Sequence, residues 1–135
     1  MYKIEVRVTF KSGHRTGGHK KCRNPHGEAY TAIFIFEGNK LDKSDMLIDF
    51  GPIKTKIKKW INKNLDHAML LNKKDVKLIK FFKENNYNVY KMDSNPTAEK
   101  IAELLYKKVK KDINPLLKKV GIIESFPKNR AWYFE

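Results

Sequence analysis

Apolar and polar positions alternate at the start of the chain, where Tyr2, Ile4, Val6, Val8 and Phe10 interleave with Lys3, Glu5, Arg7 and Thr9. A period of two is the mark of a strand with one buried and one wet face. The next stretch, Lys11 to Pro25, is polar, carries Gly13, Gly17 and Gly18, and reads as a loop long enough to have a function. Alternation returns from Glu28 to Phe36 with apolar residues on both faces: Tyr30, Ala32, Phe34 and Phe36 on one, Ala29, Thr31, Ile33 and Ile35 on the other. A strand apolar on both sides needs cover on both. We expect helices over one face and another subunit over the other, and hence an oligomer.

Further on the period lengthens. Gly51-Pro52 opens a helix that runs to about Lys63, with Ile53, Ile57, Trp60 and Ile61 as its apolar stripe. After Asn64-Leu65-Asp66-His67-Ala68-Met69-Leu70-Leu71-Asn72 comes a short amphipathic helix, Asp75 to Glu84, then a brief strand from Asn88 to Met92. Asn95 and Pro96 read as the N-cap and first turn of another helix, whose Ile101, Leu104, Leu105 and Val109 recur at helical spacing and which ends before Pro115. Two strands close the chain, around Lys119 to Phe126 and Ala131 to Phe134, joined by the hairpin signal Pro127-Lys128-Asn129-Arg130. The order of strands, helices and strands predicts one α+β domain over residues 1–135, with a four-stranded antiparallel sheet and helices packed on one face.

Composition narrows the setting. At 135 residues one core is enough, and 41% hydrophobic with 33% charged residues excludes a wholly disordered chain. The longest apolar run, Ala32 to Phe36, is too short to cross a bilayer, and Met1 to Glu5 lacks the pattern of a secretory signal, so no membrane role and a cytoplasmic location are expected. The net charge of +14 calls for an anionic partner: nucleic acid, anionic lipid or a phosphorylated small molecule. Much of the excess nevertheless solvates helix faces, as do Lys54, Lys56, Lys58, Lys59 and Lys63 around the first helix. Trp132, Tyr133 and Phe134 raise the thought of a nucleic-acid-binding module, but neither an aromatic strand motif of the RNA-binding type nor a paired Cys-x-x-Cys knuckle accompanies them.

Several residues carry chemistry. His26 and Glu28 are two apart at the start of a strand and point the same way. If the first two strands pair as a hairpin, His14 reaches the same point, and two imidazoles with a carboxylate suit catalytic zinc; the alternative is two ordinary loop histidines beside a surface carboxylate. His19 is a spare imidazole in the same loop. Cys22, the single cysteine, cannot form an internal disulfide, and Lys20, Lys21 and Arg23 around it favour a thiolate. Asp66-His67 makes either a proton relay or a helix-capping Asp with an exposed His. Glu124 shares a strand face with Val120, Ile122 and Phe126, so it either accepts two donors from a planar nitrogenous ligand or sits at a wet edge.

In their order these residues resemble the 6-pyruvoyl tetrahydropterin synthase family, with its 6-carboxytetrahydropterin synthase branch of queuosine and archaeosine biosynthesis. Phe10-Lys11-Ser12-Gly13-His14-Arg15 is similar to the family's Phe-x-x-x-His-Arg, and Cys22-Arg23-Asn24-Pro25-His26-Gly27-Glu28-Ala29-Tyr30 to its Cys-x-x-x-His-Gly-His-x-Tyr. Asp49-Phe50, Leu65-Asp66-His67, Leu71-Asn72, Pro96-Thr97-Ala98-Glu99 and Ile123-Glu124-Ser125 follow in the family's sequence, while Lys73 to Met92 matches no landmark. The resemblance implies a T-fold (tunnelling fold) whose subunits join sheets into a barrel and stack as a homohexamer, with active sites between subunits. It implies 7,8-dihydroneopterin triphosphate as substrate, zinc on His14 and His26, Cys22 as general base, Asp66 and His67 as proton relay, and Glu124 on the pterin edge, with Thr97 and Glu99 in the pocket. One departure stands out: the second His of His-Gly-His is Glu28. Either Glu28 or His19 then completes the zinc site, or the chain is a pterin binder with altered or lost activity.

Overall fold

The structure is a computed structural model that describes residues 1–17, 21–125 and 128–135. His19, Lys20 and Phe126 lie outside the described residues. The elements are β1 (Tyr2–His14), β2 (His26–Gly38), α1 (Phe50–Asn64), β3 (Met69–Asn72), α2 (Val76–Glu84), β4 (Val89–Met92), α3 (Ala98–Asp112), β5 (Leu117–Glu124) and β6 (Arg130–Phe134). They form one sheet in the order β4-β3-β1-β2-β5-β6.

The expected four-stranded antiparallel sheet is therefore corrected to a six-stranded mixed one. The β1–β2, β2–β5 and β5–β6 pairs are antiparallel, but β3 runs parallel to both β1 and β4. Strand β3 has four residues, Met-Leu-Leu-Asn, too few to declare a period, and α2 provides the crossover that its parallel pairing with β4 requires. The first strand is also longer than its apolar alternation suggests. Lys11 to His14 stay in register with Ala29 to His26, so hydrogen bonding to β2 holds an extended chain where the side chains alone read as loop.

Helices α1 and α3 cover one sheet face. Ile53, Ile57 and Ile61 of α1 and Ile101, Leu105 and Val109 of α3 pack with Val6, Val8, Phe10, Tyr30, Phe34 and Phe36 into the main core. Asp49 caps α1 by accepting from the Gly51 amide at 3.1 Å. At α3 the cap is Thr97, whose hydroxyl accepts from the Lys100 amide, and not Asn95. Pro96 thus lies outside the helix, where its carbonyl is free to serve a side chain. No described helix is long and apolar enough to cross a membrane.

The second sheet face is partly closed within the chain: Ile33, Ile35 and Ile123 are buried there with Trp132 of β6 packed against them. Trp132 lies flat on Gly121, where an added Cβ would meet ring atoms at 2.8–3.0 Å. We predict that Gly121→Ala displaces Trp132 and costs about 1–3 kcal/mol. Chemical unfolding followed by the fluorescence of Trp132 in a Trp60→Phe background checks this.

Candidate metal centre and its cleft

Register assembles the site. In the β1–β2 ladder His14 stands opposite His26 and Ser12 opposite Glu28, and alternation turns His14, His26 and Glu28 to the same face. One ligand atom from each of the three lies within 4.8 Å of the others. The two Nε2 atoms are 2.9 Å apart, with Glu28 Oε1 at 3.3 Å from His26 and 3.8 Å from His14.

Both rings are held from behind by backbone oxygens. His14 Nδ1 lies 2.8 Å from the Pro96 carbonyl, and His26 Nδ1 lies 2.7 Å from that of Asn24. A carbonyl only accepts, so each Nδ1 carries a proton, and whenever Nε2 carries none each ring presents a bare Nε2 lone pair. Two lone pairs then face each other beside a carboxylate oxygen, an arrangement that repels unless a cation or an extra proton lies between them. Carbonyl-backed imidazoles of fixed tautomer are the support that metal-bound histidines receive. The donor set, two nitrogens and one oxygen, fits a divalent metal such as zinc with a coordination position left open. Tyr30, stacked on Phe10, places its hydroxyl 3.1 Å from His14 Nδ1. Burial, and then the charges of Glu124 and Glu28, push its pKa far up, so it remains a protonated hydrogen-bonding group.

The three side chains open onto a cleft of about 300 Å³ between the start of α3 and the β5–β6 connection. Cys22, Thr97, Glu99 and Glu124 line it, together with Asn129 and Arg130. Among the described residues, the fold thus brings together every predicted site residue except Asp66 and His67. Glu124 pairs across strands with Tyr30. Burial raises its carboxyl above the ordinary range, and Glu28 and Glu99 add to the rise while His14 opposes it.

Asp66 and His67 stand elsewhere. Asp66 follows the end of α1 and caps no helix; its Oδ1 accepts from the Lys11 amide at 2.9 Å and its Oδ2 contacts His67 Nδ1 at 2.8 Å. Burial would raise this carboxyl, but the bonds from Lys11 and His67 prevail and hold it below its usual value. The pair borders a hollow shared with Lys11, Ala29 and Ser125. Lys11 and Ala29 are cross-strand partners whose side chains point away from the face of His14 and Glu28. Neither Asp66 nor His67 lines the cleft of Cys22 and Glu124, although His67 borders a second hollow with Ser12, Gly27 and Glu28.

Sequence reasoning missed the carbonyls of Pro96 and Asn24, because a backbone oxygen has no residue signature. It missed Asn129 and Arg130 as cleft residues, whose only sign is a polar pair at a strand start. Since folding raises the Glu124 pKa, its ionised form costs stability above the folded value, and the cost vanishes below the unfolded value of about 4.3. Glu124→Gln should therefore raise the thermal midpoint of metal-free protein at pH 7, and the gain should close as pH falls to the unfolded value of about 4.3. Melting curves across that range check it.

Residues 3–135 match the sequence model of the family described as 6-pyruvoyl tetrahydropterin synthase. The chain is 43% identical over 104 residues to a 6-carboxy-5,6,7,8-tetrahydropterin synthase from Rickettsia typhi, covering 76% of this chain and 75% of that protein. It is 29% identical over 119 residues to the enzyme of that name from Haemophilus influenzae, covering 83% and 84%. Among solved structures, an uncharacterized protein from Wolinella succinogenes superposes with a TM-score of 0.85 at 22% identity, covering 99% of this chain and 98% of the other. The 6-pyruvoyl tetrahydropterin synthase of Caenorhabditis elegans follows the same fold with a TM-score of 0.72 at 25% identity, covering 99% and 95%.

Proposed function

The chain belongs to the 6-pyruvoyl tetrahydropterin synthase family, a family of lyases in pterin biosynthesis, and on that premise we propose that it is a zinc-dependent 6-carboxytetrahydropterin synthase. Its substrate in this reading is 7,8-dihydroneopterin triphosphate, and its place is the supply of queuosine or archaeosine precursors in the cytoplasm. The observation that carries the reading is the meeting of His14, His26 and Glu28 with Cys22 and Glu124 around one cleft.

Each group has work that suits its surroundings. His14, His26 and Glu28 hold zinc, which when bound supplies positive charge that stabilises negative charge developing on the substrate side chain and acidifies its C–H bonds. Cys22, in the lining of the cleft, removes a proton as thiolate. Glu124, a carboxylate in half-buried surroundings, accepts two N–H donors from the edge of a flat heterocycle, which offsets the cost of its burial. Thr97 and Glu99, at the first turn of α3, form the wall beside it. Triphosphate is then eliminated, and one water is consumed as the bond between the first and second side-chain carbons breaks, leaving a carboxylate on the pterin and releasing the other two carbons as acetaldehyde.

Asp66 and His67 complete the proton path in this reading from a neighbouring copy, because within one chain they border other hollows than the one Cys22 lines. A homohexamer of two stacked rings, with sites between subunits, supplies that neighbour. Glu28 in place of a histidine adds negative charge, which lowers the acidity of the zinc without removing a ligand.

Incubation of the zinc-loaded protein with 7,8-dihydroneopterin triphosphate, with products weighed by mass spectrometry, tests the reading. We expect 6-carboxytetrahydropterin, acetaldehyde and triphosphate. A 6-pyruvoyl product moves the protein to the other branch of the family, and pterin binding without triphosphate release makes it a binder. Cys22→Ser should lower kcat about 10²–10⁴-fold. Its zinc content, measured by elemental analysis, should not change.

A further inference from the structure

Glu28 is where the chain departs from the family pattern, and its second oxygen has a partner of its own. While Oε1 faces the two histidines, Oε2 accepts a hydrogen bond from the Ser125 hydroxyl at 2.9 Å. Regular strand geometry would not deliver that hydroxyl. Strand β5 ends at Glu124, opposite Tyr30, so a continuing strand would set Ser125 opposite Ala29 with its side chain on the face away from Glu28.

The Ser125 amide does donate to the Ala29 carbonyl at 3.0 Å, but its φ is 51°. That left-handed turn re-aims the side chain toward Glu28. The other described non-glycine residues with positive φ are Asp45, His67 and Asn86, types enriched in this region, whereas serine is not. A strained backbone at a site margin, kept by a residue ill-suited to it, signals that the hydroxyl is needed.

We propose that Ser125 is a positioning residue that makes Glu28 a one-oxygen metal ligand. By occupying Oε2 it leaves only Oε1 to the cation, so the carboxylate takes the place of a single imidazole nitrogen and the remaining coordination position stays open. The bond also draws off part of the carboxylate charge. This rests on the metal reading above.

Zinc affinity by competition with a chromophoric chelator, and the visible spectrum of the cobalt(II)-loaded protein, test the idea on Ser125→Ala, Ser125→Gly and Ser125→Thr. Loss of the hydroxyl in Ala and Gly should weaken zinc about 10–100-fold. It should also lower the cobalt absorption as the freed Oε2 enters the coordination sphere. Thr should restore both. Gly relieves the backbone strain while removing the hydroxyl, so a loss of affinity in a variant at least as stable as the parent separates positioning from folding. In a Glu28→His background Ser125→Ala should change affinity less than about threefold, because no carboxylate remains to be held. Unchanged affinity and spectrum in the Ala and Gly variants would falsify the proposal, as would an equal loss in the Glu28→His background. If the parent protein binds neither ion, the metal reading falls together with this one; if it binds and the variants match it, only this one falls.

Discussion

The β1–β2 register governs everything else in this molecule. The ladder runs unbroken from Tyr2 opposite Gly38 to His14 opposite His26. A slip of one residue would turn His26 and Glu28 to the far face and expose Phe34 and Phe36, so the requirement to bury the core also fixes the ligand geometry. Main-chain pairing carries that register past the last apolar residue, Phe10, into polar sequence. The site is in effect the far end of the core ladder, with imidazoles where the apolar side chains stop.

The electrostatics of the site follow from that placement. His14 is almost wholly buried, and the Pro96 carbonyl, free because α3 is capped by Thr97 and starts at Ala98, fixes which nitrogen keeps its proton. The bare Nε2 atoms then confront each other next to a carboxylate, which suits a cation far better than the apo chain. Glu124, Glu28 and Glu99 crowd one cleft, and burial with their mutual repulsion raises Glu124. A cation and a nitrogenous ligand would relieve both stresses at once.

Much of this was legible from residues alone. Alternation located the long strands, helical spacing located the stripe of Ile53, Ile57 and Ile61, and the i, i+2 rule put His26 and Glu28 on one side. Strands β3 and β4 escaped or stayed faint because four residues cannot display a period, and parallel pairing leaves no turn signal. Asn-Pro is a strong opening pair and points to Asn95 as the cap of α3, yet Thr97 caps it by accepting from the Lys100 amide with its hydroxyl. The position of Asp66 and His67 relative to Cys22 was not legible, since it depends on which sheet face a turn after α1 delivers them to.

The account stands on Glu28 acting as the third ligand at the position where the family resemblance implies a histidine. Elemental analysis of purified wild type and Glu28→Ala addresses that directly. We predict about one zinc per chain in the wild type and its loss in the variant. Zinc kept by Glu28→Ala, or no zinc in either protein, would contradict the account.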